Sequence, residues 1–276
     1  MNYFSKFLFV SVLVLVIGGC SGYEKILKSS DYKKKYEAAL HYYYDKEDYV
    51  RASALFDQIA LVFRGTDQAD TVYFLQAMSY FRQNDYILSG HYFRTFAKTY
   101  GGSPFAEEAD FMGAYCYYLT SPRPELDQTN TVQAIQAFQL YLIKYPDSPR
   151  KEKVREYFTE LRDKLVEKSY LSAKLYYDLS DYKASIVALN NSLTKFPESK
   201  YREEIMFMLV KSSYMLADKS VLSKKKERFQ DAIDEYYSFA SEYPESKYMR
   251  EAKKYYRLSA NYLGDKVLEN EDNEEI

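Results

Sequence analysis

The sequence predicts an all-α protein in which pairs of helices stack one after another as a solenoid. A pattern that occurs five times is the main evidence: a small residue stands three places after its start, a larger apolar residue seven places after and an aromatic one 14 places after. The copies are 37 to 51 residues apart and start at Tyr49, Tyr86, Thr131, Tyr182 and Phe229. Such spacing is typical of stacked helix pairs, because one pair cannot bury its apolar face alone. Only 9 Gly and 7 Pro occur in 276 residues, and no alternation of apolar and polar residues persists, which also favours helices.

The N-terminus predicts an exported lipoprotein. Lys6 precedes the 11-residue apolar stretch 7–17, which suits a secretory signal and is too short to span a bilayer. The stretch ends in Ile-Gly-Gly-Cys at 17–20, which resembles a bacterial lipobox. This resemblance implies a signal peptide over 1–19, cleavage before Cys20 and a diacylglyceryl and acyl (palmitate) lipid on Cys20. An ordinary signal peptide with an incidental cysteine, or an uncleaved anchor, is the alternative. We predict no other cofactor.

The remaining elements follow in order. We predict a lipidated tether over 20–31, a repeat domain over 32–263 and a disordered tail over 264–276, whose last eight residues carry five carboxylates and no basic group. The five predicted repeats and the predicted capping helix are 32–65, 67–101, 103–146, 152–197, 200–244 and 248–263.

Three segments depart from a regular repeat. Pro-containing residues 120–130 predict a long loop in repeat 3, and residues 151–179 predict one helix of about 28 residues, because neither Pro nor Gly interrupts them. Residues 218–228 predict an enlarged loop in repeat 5 that contains three consecutive lysines, Lys224–Lys226. These lysines are either solvated charges or a contact to acidic headgroups or an acidic partner.

The second cysteine, Cys116, lies in an apolar run and is predicted to be buried and inert.

The sequence predicts neither catalysis nor a metal site. His41 and His91 lie in different repeats, and the sequence contains no H-E-x-x-H, phosphate-loop, G-x-G-x-x-G or G-x-S-x-G motif. The net charge is −2 with both signs mixed, so no concentrated basic face predicts nucleic-acid binding.

The repeats fit the tetratricopeptide pattern, in which a small residue and an aromatic one mark the first helix of a pair, here Ala77 and Tyr80. Residues 23–263 resemble more specifically the BamD-type outer-membrane assembly lipoproteins. The features that carry this resemblance are the lipobox, the five repeats, the Leu-Asp-Gln sequence at 126–128 in the Pro-containing loop of repeat 3, the long first helix of repeat 4, and the continuation of that helix through 161–182.

The resemblance implies a non-catalytic scaffold on the periplasmic face of the outer membrane, held there by its lipid. Its partners would be the periplasmic domains of the insertase that folds β-barrels into the membrane, and unfolded barrel proteins. The resemblance implies an arginine on the second helix of repeat 4 where this chain has Ala188, so the usual insertase contact at this position does not carry over, while the architecture does. The main alternative is a periplasmic tetratricopeptide adaptor lipoprotein for the cell-envelope or division machinery. A nutrient-binding surface lipoprotein is disfavoured by the absence of Trp.

The first helices of a tetratricopeptide array line its concave surface. The residues predicted to face this partner- and peptide-binding groove are Glu37, His41 and Tyr44 in repeat 1, Phe74, Met78 and Phe81 in repeat 2, and Tyr170, Lys174 and Tyr177 in repeat 4. Repeats 1 and 2 thus offer aromatic and Met side chains with few fixed charges, which suits an extended peptide with an aromatic end. The alternative for each of these residues is packing between repeats.

Overall fold

A computed structural model describes residues 22–264, which are helical apart from turns and contain no strand. The predicted signal peptide, Cys20 and the tail from 265 onward lie outside these residues. The helices are α1 (residues 22–27), α2 (Tyr32–Tyr44), α3 (Tyr49–Phe63), α4 (Ala69–Arg82), α5 (Tyr86–Thr99), α6 (Ala106–Leu119), α7 (Thr129–Lys144), α8 (Lys151–Asp178), α9 (Tyr182–Lys195), α10 (Arg202–Asp218), α11 (Leu222–Glu242) and α12 (Met249–Leu263). Consecutive helices from α2 to α7 and from α9 to α12 pack on each other, as predicted for a solenoid.

Aspartates start the helices that follow short turns. The carboxylates of Asp31, Asp48, Asp85 and Asp181 each accept a hydrogen bond from the backbone N–H three residues later, at 3.0 to 3.1 Å. Such caps satisfy amide groups that have no partner within the helix. The residue before the last three caps has a positive φ, with values of 50° to 61° at Glu47, Asn84 and Ser180. The same tight turn therefore joins the two helices of repeats 1, 2 and 4.

Contacts divide the chain into two compact units. Unit 1 contains the described residues up to Pro122 together with Gln128–Leu161, and unit 2 contains Arg123–Asp127 together with the residues from Arg162 onward. The small residues of the repeated pattern are buried in both units, because they let neighbouring helices approach. The largest fully buried side chains are Leu55, Phe56, Ile59, Phe93, Phe96, Phe138, Tyr141 and Leu161 in unit 1, and Leu189, Ile205, Leu209 and Phe239 in unit 2.

The structure confirms the long helix and corrects two predicted segments. Helix α8 has 28 residues, as predicted. The predicted tether is in part helical, since Tyr23, Ile26 and Leu27 of α1 pack against the core of unit 1. Their apolar side chains recur at helical spacing, which the tether prediction overlooked. The predicted loop over 218–228 is also shorter, because α11 begins at Leu222 and contains Lys224–Lys226 in its first turns. Residues 222–228 contain no helix breaker, and Lys, Glu and Arg favour helices.

Helices α5 and α6 approach each other closely at two glycines. A Cβ atom on Gly90 would lie 2.9 Å from the Cβ of Cys116 and 2.8 Å from Nη1 of Arg94. A Cβ atom on Gly113 would lie 3.1 Å from Cγ of Arg94, its nearest neighbour. Cys116 is buried, as predicted, and burial raises the pKa of its thiol to about 11. The thiol is therefore protonated at neutral pH and serves to fill this contact.

Gly90→Ala is expected to lower the free energy of unfolding by about 1–3 kcal/mol, because the added methyl group overlaps a Cβ that is fixed to the backbone of α6. The gain in helix propensity, about 1 kcal/mol, opposes this loss and does not cancel it. Gly113→Ala is the matched control, since only the flexible side chain of Arg94 has to move, and it should cost less. Denaturant unfolding measures both variants. If Gly90→Ala were as stable as the wild type, the close contact would be wrong.

Candidate partner-binding surfaces

The predicted groove residues of repeat 1 are accessible. Glu37, His41 and Tyr44 are exposed on α2, and Tyr44 retains 63% of its surface. Nδ1 of His41 lies 2.7 Å from Oδ2 of Asp45, which holds the imidazole at the end of the helix. These three side chains could contact a partner without rearrangement.

Phe74 in repeat 2 is part of the core. It is buried, its ring stacks on that of Phe105 at 4.6 Å, and it meets Phe93 and Phe96 edge to face at 5.7 Å each. Phe74→Ala would therefore cost about 3–5 kcal/mol of stability, so a binding defect in that variant would not report on the groove. Met78 and Phe81 are half-buried at the edge of the same core and retain accessible surface.

Repeat 4 shows the same division. Tyr170 is buried, its ring stacks on Tyr201 at 4.1 Å, and its hydroxyl donates to Glu204 at 2.8 Å. Lys174 and Tyr177 are half-buried, and the ammonium groups of Lys174 and Lys211 lie 5.8 and 5.7 Å from the centre of the Tyr177 ring. The prediction that Phe74 and Tyr170 face a groove is therefore wrong, because both side chains are buried. A binding role for the other seven residues stays a prediction.

One arrangement explains both corrections. An aromatic residue stands directly before each of the helices α6, α10 and α12. Its ring lies flat against an aromatic ring on the first helix of the repeat before it. Offset stacking of this kind adds to the burial of apolar area. The stacked pairs are Phe74 with Phe105, Tyr170 with Tyr201, and Phe207 with Tyr248, with interplanar angles of 15°, 7° and 8°.

Unit 1 carries a row of half-buried aromatic side chains that the sequence prediction missed in large part. We call Phe81, Tyr115, Tyr118 and Tyr157 the aromatic row; they belong to α4, α6 and α8. The ring of Tyr115 lies 6.2 Å from Phe81, 5.7 Å from Tyr118 and 5.4 Å from Tyr157. Tyr118 donates to Glu160, which together with burial raises the pKa of its phenol and keeps it protonated. Tyr115 and Tyr118 are three residues apart and so lie on one face of α6, and this spacing could have indicated the aromatic row from the sequence.

A second accessible surface lies between α8 and α9 in unit 2. Tyr176, Val187 and Ala188 line an open cleft of about 520 Å³, whose other lining residues are Asp181, Lys183, Ala184 and Asn191. Tyr176 is 42% and Val187 58% exposed. Leu175 and Leu179, also exposed, add apolar surface at the end of α8. We call this surface the α8–α9 cleft.

Residues 22–264 contain neither a cluster of metal-ligating side chains nor a membrane-spanning helix. Nowhere in this range do three or more His, Cys, Asp or Glu side chains come together in a group that could hold a metal ion. Over the same range, every helix is too short or too polar to cross a bilayer.

Comparison with known proteins identifies the family. The family model named YfiO, described as an outer membrane lipoprotein, matches residues 28–178 and 167–269. A search of curated proteins finds no match. The two matched segments together take in nearly all of the helices, including the aromatic row and the α8–α9 cleft. With most of its length matched, this chain belongs to the YfiO family of outer membrane lipoproteins.

Proposed function

We propose that this protein is a non-catalytic scaffold of the BamD type, anchored by lipid to the periplasmic face of the outer membrane. In this role it binds the periplasmic domains of the barrel insertase and unfolded barrel proteins. Membership of the YfiO family supports the outer-membrane setting. The observation that carries the binding role is the exposed apolar surface of the α8–α9 cleft.

The α8–α9 cleft has the composition of a docking surface. Its apolar centre, formed by Tyr176 and Val187, is bordered by Asp181 and Lys183. An apolar centre within a polar rim, with tyrosine enriched, is the usual anatomy of a protein interface. Ala188 lies in this lining, at the position where the resemblance would place the arginine of the usual insertase contact. Because Ala188 is small, the cleft is open where a relative would place a long arginine, and apolar contact takes a larger share of the binding.

The aromatic row suits the second ligand, an unfolded barrel segment. The strands of such barrels alternate apolar and polar residues, and aromatic residues occur where they meet the membrane interfaces. The half-buried rings of Tyr115 and Tyr157 can contact such residues with the part of their surface that stays accessible. Accessible Tyr44, Met78 and Phe81 offer further apolar contacts on α2 and α4.

Tyr115→Ala combined with Tyr157→Ala is expected to weaken binding of an aromatic-ended barrel peptide by about tenfold or more, because two aromatic contacts are lost. Fluorescence anisotropy with a labelled peptide measures this change. Tyr32→Ala combined with Tyr237→Ala removes two exposed tyrosines elsewhere and should leave the affinity unchanged. Tyr115→Phe with Tyr157→Phe keeps the rings and should retain binding. Wild-type affinity in a natively folded double alanine variant would remove the aromatic row as a peptide site.

Depletion of the protein in living cells tests the proposed function. If it serves barrel assembly, depletion should lower the amounts of several β-barrel proteins in the outer membrane before growth stops. Quantitative proteomics of isolated outer membranes measures these amounts. Normal barrel levels accompanied by defects in septation would favour the alternative, an adaptor for the division machinery.

A further inference from the structure

The start of α11 combines exposed apolar side chains with a run of three lysines. Val221 and Leu222 are 65% and 81% exposed, and Lys224 and Lys226 are exposed. Within residues 22–264, neither of these two lysines has a carboxylate at ion-pair distance, and Lys225 meets only Asp218, at 3.9 Å. We call residues 221–226 the α11 patch. Neither the aromatic row nor the α8–α9 cleft includes it.

The chain leaves the described structure beside this patch. The ring of Tyr262, near the end of α12, lies 4.4 Å from that of Phe229 on α11, and Nζ of Lys225 lies 5.7 Å from its centre. Helix α12 ends at Leu263, and Gly264 follows with a φ of 86°, a left-handed conformation that turns the backbone out of the helix. Residues 265–276 therefore continue from a point next to the first turns of α11.

The sequence of residues 265–276 complements the α11 patch. Val267 and Leu268 form an apolar pair, and five carboxylates follow between Glu269 and Glu275. The patch has the same order with the opposite charge, since Val221 and Leu222 precede three lysines. At up to 3.6 Å per residue, Leu268 can lie about 14 Å from Gly264 and Glu275 about 40 Å from it, which is ample reach.

We propose that residues 265–276 dock on the α11 patch of their own chain. Val267 and Leu268 lie against Val221 and Leu222, and the carboxylates pair with Lys224–Lys226. The docked segment covers the patch, so that any acidic ligand or anionic lipid has to displace it. The exposed Lys253 and Lys254 of α12 are a weaker site, because the residues on either side of them, Ala252 and Tyr255, are buried and offer Val267 and Leu268 no adjacent apolar pair. This proposal is independent of the proposed function.

Carbodiimide cross-linking of the full-length lipidated protein, dilute in an uncharged detergent, tests the proposal. This reagent joins a lysine amine directly to a carboxylate that pairs with it, and mass spectrometry identifies the joined peptides. Links from Lys224–Lys226 to Glu269–Glu275 should exceed links from Lys253 and Lys254 by about tenfold at low salt, as three exposed ion pairs allow. They should largely disappear at 1 M salt, where the screening length is about 3 Å.

Charge-neutral variants give the control. Changing Lys224, Lys225 and Lys226 together to Gln removes the reacting amines, so the readout for this variant is trypsin cleavage after Lys266, which should become faster than in the wild type. Lys253→Gln with Lys254→Gln should leave both the cross-links and the cleavage rate unchanged. Three results would overturn the proposal: no links, links that form only between chains, or links equally frequent to α12. Protection of Lys224–Lys226 by phosphatidylglycerol vesicles, and not by the acidic segment, would identify the membrane as the occupant and would also overturn it.

Discussion

Cys20→Ala is expected to move nearly all of the protein from the membrane fraction to the soluble fraction. The lipobox at 17–20 predicts that this cysteine carries the lipid, and YfiO-family membership supports a lipoprotein. Each methylene group buried in the bilayer contributes about 0.8 kcal/mol, so a single acyl chain binds only marginally and several chains together bind stably. Removing all of them leaves only contacts to protein partners to hold the chain at the membrane.

Fractionation of cell envelopes measures this release, and circular dichroism shows whether the released protein is folded. Cys116→Ala is the matched control, because the Cys116 thiol is buried within unit 1 and should not affect the lipid. If the Cys20→Ala protein stayed in the membrane fraction after a high-salt wash, partners would hold it there and the lipid would be dispensable for localisation.

Tyr176→Glu combined with Val187→Glu is expected to weaken binding to the insertase's periplasmic domains by about a hundredfold. Both side chains line the α8–α9 cleft, so docking would desolvate two carboxylates in a lining whose one cation is Lys183. Asp181, in the same lining, adds like-charge repulsion. A hundredfold effect corresponds to about 1.4 kcal/mol at each of the two positions, which is within the range that altering a central interface residue costs.

Titration of the purified full-length variant with these domains measures the change. Both positions are exposed and Glu favours helices, so the variant should keep the wild-type melting temperature. Val50→Glu with Leu61→Glu adds the same charge to exposed positions of α3 and should bind as the wild type does. Equal affinities of the two variants would exclude the cleft as the docking surface.

The helices were predictable because their signals are local. An aspartate cap, a buried small residue three places after the start and an uninterrupted apolar stripe determined α3, α5, α9 and the long α8. The start of α11 was placed too late, because the repeat pattern begins only at Phe229 and the preceding charged turns carry no apolar signal of their own.

The candidate site was less predictable, because burial depends on neighbours from another repeat. Phe74 and Tyr170 occupy groove positions in the sequence pattern, but Phe105 and Tyr201 cover them. These covering residues lie in the turn before the next repeat, 31 residues later in both cases, where no local signal indicates their direction. The aromatic row likewise forms only when α4, α6 and α8 are placed side by side.

Direct titration of the full-length wild-type protein with the purified periplasmic domains of its own barrel insertase is the most direct test of the proposed scaffold role. The proposed role requires saturable one-to-one binding in isothermal calorimetry, with a negative heat-capacity change from the apolar surface that is buried. Absence of any heat of binding at two different temperatures, with both proteins folded and at concentrations of about 100 μM, would correspond to an interaction too weak to organise an assembly and would contradict the role.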